Sequence, residues 1–104
     1  TIKDIKLSKE LNIDCVEIHT GKISNLVKLK KKYNTEFDRI KKCSILAEKL
    51  NIEVHAGHGL DYKTTKILSK VKEIEEFNIG HFIIGESIIF GLKSTIRRFK
   101  KILR

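Results

Sequence analysis

Apolar positions along this chain follow two alternating rhythms. Residues 1–11, "TIKDIKLSKEL", set Ile2, Ile5, Leu7 and Leu11 toward one side with lysines elsewhere, as a short amphipathic helix does. In "NIDCVEIHTG", residues 12–21, a compact run with Val and Ile halts at Thr20 and Gly21, which predicts a strand. Residues 35–51, "TEFDRIKKCSILAEKLN", repeat Phe37, Ile40, Cys43, Ala47 and Leu50 every three or four positions. This predicts a helix, with Thr35 as its cap and Asp38 three residues on. The unit then recurs. "IEVHA" (52–56) reads as a strand, "DYKTTKILSKVKEIEE" (61–76) as a helical stretch and "FNIGHFIIG" (77–85) as a strand. "ESIIFGLKSTIRRFKKIL" (86–103) reads as a closing helix with Ile88, Leu92, Ile96, Phe99 and Leu103 on one stripe.

Three strand-to-helix alternations indicate an α/β fold made of parallel βα units. A parallel sheet needs cover on both faces and protection at its edges, which three strands supply poorly. The rhythm fits better as the last βα units, about strands six to eight, of a TIM (β/α)₈ barrel, which takes about 250 residues. Residues 1–104 are then expected to be the C-terminal portion of a single barrel domain whose N-terminal strands are absent from this sequence. No proline and no low-complexity linker marks an internal boundary.

Composition narrows the function classes. With 104 residues and 40% apolar content the chain has enough for a core, which excludes a disordered segment. Lys and Arg number 22 against 13 Asp and Glu, a net charge of +9 that favours anionic partners such as phosphorylated metabolites or nucleic acid. The basic run "LVKLKKKY" (26–33) is read as solvated surface in a long loop between the first strand and its helix. Nucleic-acid binding stays a minor alternative, because five Phe and two Tyr lie scattered on apolar stripes rather than in a stacking platform. Cys15 and Cys43 read as small core residues without CxxC spacing, which fits a reducing cytoplasm. No apolar run approaches the roughly 18 residues of a membrane span.

The candidate chemistry lies where the strands end. These ends read Glu17-Ile18-His19-Thr20-Gly21, Ala56-Gly57-His58-Gly59 and Asn78-Ile79-Gly80-His81. In a barrel, active sites form at the C-terminal strand ends, and the last two loops often hold a phosphate. Lacking a Cβ, Gly59 and Gly80 let backbone N–H groups approach an anion, and the following helix start adds partial positive charge. Glu17 is the only carboxylate within the first strand's hydrophobic run, on the same face as Ile13 and Cys15 by alternation. It is either a working carboxylate or half of a salt bridge to a barrel lysine or arginine. His58, with a glycine on each side, is favoured as a functional group over a turn residue. His81 is either a phosphate contact or a half-buried histidine bonded to a carbonyl, while His19 and His55 are read as structural or supporting. Four histidines also admit a metal-dependent barrel hydrolase, although no HxH or HExxH spacing is present.

Taken in order, "EIHTG" (17–21), "AGHGL" (56–60) and "NIGHFIIGESIIFGLKSTI" (78–96) resemble the C-terminal part of pyridoxine 5′-phosphate synthase, along essentially the whole chain. The resemblance implies a barrel enzyme that condenses 3-amino-2-oxopropyl phosphate with 1-deoxy-D-xylulose 5-phosphate and releases phosphate and water. It also implies no metal or organic cofactor, and a homo-oligomeric parent. By motif, His58 is expected as proton donor, Gly59, Gly80 and His81 as holders of the aminoketone phosphate, and Glu17 as the carboxylate that stabilises charge. His55 departs from the family, which usually carries asparagine there. The family's other acid–base histidine and glutamate belong to strands that this sequence does not contain, so the chain is expected to hold a partial active site.

Overall fold

The computed structural model describes residues 1–103. In chain order the elements are α1 (Ile2–Glu10), β1 (Cys15–His19), α2 (Gly21–Lys28), α3 (Asn34–Lys49), β2 (Glu53–Gly57), α4 (Tyr62–Leu68), β3 (Ile74–Asn78), α5 (His81–Phe90) and α6 (Leu92–Leu103). The strands pair in parallel in the order β1-β2-β3. Sequential order without reversal is the arrangement of consecutive barrel units; a doubly wound sheet reverses its strand order at a switch point.

One face of the sheet carries the core. Ile18, Val54, Ala56 and Ile74 point into a helix layer where they meet Ile23 and Val27 of α2, Ile40, Cys43 and Ala47 of α3, and Leu68 of α4, all buried. Three helices end with a left-handed residue one position past the cap: Asn12, Lys30 and Asn51, at φ of 57°, 53° and 59°. In each case the next N–H reaches back to the last turn, as in Ile52 N–H to the Ala47 carbonyl at 2.8 Å. These closures turn the chain sharply out of each helix and satisfy carbonyls that would otherwise be orphaned.

A cluster of aromatic rings fixes the starts of two helices. Tyr62, the first residue of α4, packs on Phe82 of α5 at 4.8 Å and on Phe99 of α6 at 4.6 Å between centroids. The Arg98 guanidinium covers the Tyr62 ring at 4.0 Å. Phe99 is buried, and the cluster holds the start of α5 beside the start of α4. Beyond it α5 is uncovered: it has no buried residue, and Ile84, Ile88, Ile89 and Phe90 are largely exposed.

Several expectations are corrected. The third strand runs over Ile74–Asn78, not 77–85, and α4 ends at Leu68 rather than continuing to 76. The cause is a bulge: Val54 pairs with Ile74 but His55 with Glu76, so Glu75 is an extra residue. Ile74 and Phe77 therefore turn to the same side three positions apart, a spacing that imitates a helix. The apolar run after Gly80 is helix α5, and the closing helix is two helices divided at Gly91, where φ is 85°. The segment after β1 is not a long loop, since α2 occupies residues 21–28 and only the end of the basic run is unstructured. Finally, α3 starts at Asn34 and Thr35 does not cap it; its first turn is fixed by buried Glu36, which accepts bonds from Arg39 at 2.7 and 2.9 Å.

Candidate active site

Opposite the helix layer the sheet presents polar rows. The strand register aligns His19 with Gly57 and Gly57 with Asn78 at the C-terminal end, Glu17 with His55 and His55 with Glu76 one row below, and Cys15 with Glu53 beneath. Alternation turns all of these away from the core. Cys15 thus corrects an expectation: Cys43 is a core residue, whereas Cys15 is half-buried on the open face with its Sγ 3.4 Å from His55 Nδ1. Its thiol is pushed above the usual value, first by burial and then by the carboxylates of Glu53, Glu76, Glu17 and Glu75. That keeps it protonated and unsuited to act as a nucleophile. His55 is held between Glu53 at 3.1 Å and Glu76 at 2.8 Å, a bridge across β2 and β3.

Glu17 reaches up from its row toward the strand ends because Gly57 leaves it room. A Cβ on Gly57 would stand 1.6 Å from Glu17 Oε1, so the carboxylate lies directly over the glycine backbone. There it accepts a bond from Asn78 Nδ2 at 3.3 Å, reaching from β1 across β2 to β3. Among the described residues no lysine or arginine pairs with it. Among the described residues Asn78 is therefore what holds this carboxylate.

His58 follows β2 in a left-handed conformation, with φ of 88°, and Gly59 continues the turn at 70°. A non-glycine residue there is strained, and surrounding structure must hold it. Thr20 is the holder. Fully buried, it donates its N–H to the Gly57 carbonyl at 2.9 Å, while its hydroxyl lies 2.8 Å from that oxygen and 2.7 Å from the His58 carbonyl oxygen. Sequence reasoning overlooked Thr20; the signal was a small polar residue between His19 and Gly21 at a strand end. Gly59 packs against α2, where a Cβ would meet Ser24 at 3.3 Å.

His58, Gly59, Gly80 and His81 line one cleft of about 650 Å³, together with Lys28 and Asn78. That size suits a small molecule. Glu17 lies just beside this cleft, over the glycine that precedes His58. Gly80 is the N-terminal flank of α5 and His81 its first residue. His81 is exposed, not half-buried as one alternative had it. A helix start with free N–H groups, a histidine and a nearby lysine favours an anion.

Other readings find less in the geometry. Among the described residues no three His, Cys, Asp or Glu side chains gather as a metal site requires. Tyr62, Phe82 and Phe99 are spent on packing one another and give no stacking platform for bases. Among the described residues no helix is long and apolar enough to cross a membrane.

The family described as "Pyridoxal phosphate biosynthesis protein PdxJ" matches residues 1–104. Proteins named pyridoxine 5′-phosphate synthase are similar to the chain throughout. That of Pelagibacter ubique is 71% identical over 101 residues, covering 97% of this chain and 42% of that protein. That of Zymomonas mobilis is 43% identical over 99 residues, covering 95% and 38%. That of a Sulfurihydrogenibium strain is 40% identical over 101 residues, covering 97% and 41%. The chain spans about two fifths of the length of these curated relatives.

Proposed function

Because the chain belongs to the PdxJ family of pyridoxal phosphate biosynthesis proteins, we propose that it serves as part of a pyridoxine 5′-phosphate synthase. In this reading residues 1–104 form the C-terminal portion of a single (β/α)₈ barrel, and further strands complete the active site. The uncovered apolar surface of α5 and the open polar face of the sheet support a larger assembly around the chain. The reaction joins 3-amino-2-oxopropyl phosphate to 1-deoxy-D-xylulose 5-phosphate in the cytoplasm, without metal or organic cofactor, in a homo-oligomeric enzyme.

The observation that carries the proposal is His58, a histidine in a left-handed turn over a cleft whose far side is the start of α5. Ring formation proceeds through imine formation, dehydration and loss of phosphate, and each step moves protons near neutral pH, where imidazole works well. His58 is the proton donor. Gly59, Gly80 and His81 hold the phosphate of the aminoketone, with the helix start as the source of backbone N–H groups. Glu17 stabilises the positive charge that develops at the condensing nitrogen, from its place over Gly57. The net charge of +9 draws in both phosphorylated substrates.

The test is steady-state kinetics of the full-length enzyme with His58→Ala. Turnover is expected to fall by about 10²–10⁴-fold, the contribution of a positioned acid or base, while KM for the aminoketone phosphate changes far less. Near-normal turnover would remove His58 from the role.

A further inference from the structure

We propose that His19 is a positioning residue for His58, acting through its ring face; the inference rests on reading His58 as the proton donor. Among the described hydrogen bonds none reaches a ring nitrogen of His58; the Thr20 hydroxyl bonds its carbonyl oxygen instead. Thr20 therefore fixes the backbone of His58 and leaves the imidazole free to turn. What restrains the ring is a stack. The His19 and His58 rings lie 4.2 Å apart between centroids at an interplanar angle of 25°. Orientation by stacking leaves both His58 nitrogens open to substrate, which a hydrogen-bonding partner would not.

His19 is itself anchored. It ends β1 in register with Gly57, and its Nδ1 accepts the Gly21 N–H at 3.3 Å, which places its ring proton on Nε2. Gly21 forms the floor under the pair: a Cβ there would stand 2.7 Å from His19 Cε1 and 2.9 Å from His58 Cδ2. Both rings thus rest on one glycine, with one wedged against the other. The strand end, the glycine and the stack together convert a strained turn into a defined ring direction.

The experiment compares His19→Ala, His19→Phe and His58→Ala in the full-length enzyme, each checked by thermal melting. His19→Ala is expected to lower kcat by about 10–100-fold, the penalty for a misplaced group, with KM for the aminoketone phosphate within about twofold. His19→Phe keeps a flat ring without nitrogens, and it should recover most of the loss. In the His58→Ala background, His19→Ala should cost no further turnover. Normal turnover in His19→Ala alongside a dead His58→Ala would overturn the positioning role and leave the proton donor standing. So would a His19→Phe enzyme no better than His19→Ala, or a further loss in the double variant, since either means His19 acts through its own nitrogens. An active His58→Ala would overturn both readings.

Discussion

Gly57→Ala in the full-length enzyme should separate the placement of Glu17 from the stability of the strand that carries the glycine. The new Cβ would stand 1.6 Å from Glu17 Oε1 and 2.7 Å from its carboxylate carbon, whereas its contact with Asn78 Cβ, at 3.3 Å, asks for only a slight adjustment. To reach ordinary contact at 3.4 Å the carboxylate oxygen must retreat by about 1.8 Å. It is the end of a flexible side chain on the polar face, opposite the helix-covered core, so it can do so without disturbing that core. Alanine is also favoured over glycine inside a strand by roughly 0.5–1 kcal/mol, so thermal stability should hold within about that margin. Catalysis should not be spared. A misplacement near 1 Å costs about 10²-fold, and loss of a charge-stabilising group costs about 10²–10³-fold. Turnover of Gly57→Ala should therefore approach that of Glu17→Ala, and combining the two should add little. The assay is steady-state turnover beside a thermal melt. Near-normal turnover in a folded Gly57→Ala enzyme would refute the reasoning, because it would mean that Glu17 works equally well from elsewhere.

Three further outcomes are expected in the full-length enzyme. His58→Gly should be more stable than His58→Ala by about 1 kcal/mol in urea denaturation, since glycine takes the φ of 88° without strain; equal stabilities would deny that the turn is strained. At Gly80 a Cβ would meet nothing within 4 Å, so Gly80→Val should leave the melting temperature almost unchanged. It should nevertheless raise KM for the aminoketone phosphate by about tenfold or more, the loss of one charge-assisted bond of roughly 1.5–3 kcal/mol; an unchanged KM would contradict the phosphate assignment. The Glu36 carboxyl is held below its ordinary value, first by the hydrogen bonds from Arg39. A depressed carboxylate stabilises the fold above its unfolded pKa and loses that contribution as pH falls through the folded value. Arg39→Ala should cost about 1–2 kcal/mol near neutral pH, less than a fully buried pair because Arg39 is partly exposed. The difference from the parent should shrink in acid, and a pH-independent difference would be evidence against the pairing.

How much of this was legible in the sequence depended on whether the deciding contact was local. The stripe of Ile40, Cys43 and Ala47 carries its own period, and α3 was readable from it. So were the first two strands, and the histidines and glycines that end them. β3 was not, because the bulge at Glu75 spaces Ile74 and Phe77 as a helix would. α5 was not either: it is apolar on every side, and a short apolar run does not distinguish helix from strand by its period. The site divides in the same way. His58 and Gly59 stood out through their neighbours in sequence. Gly57 and Gly21 matter through side chains of an adjacent strand or loop, and His19, read as structural or supporting, meets His58 only once the register of β1 on β2 is known.

That division reflects how the sheet apportions its two faces. A parallel sheet covered on both sides is ordinarily apolar throughout, yet here β1 and β2 alternate. Val54 and Ala56 are buried against helices, while His55 and Glu53 turn to the other side and join Glu76, Glu17 and Asn78. Stability is thus built on one face, and the other is left to polar groups that constrain one another: Glu53 and Glu76 on His55, Asn78 on Glu17, His19 on His58. Apart from Glu53 on His55, these constraints join residues far apart in sequence, and Gly57 and Gly21 are the floors on which Glu17 and the His19–His58 pair rest. A side chain added at either position would strike a functional group before it struck the core. The chemistry of this segment should accordingly be more fragile to small substitutions than its fold.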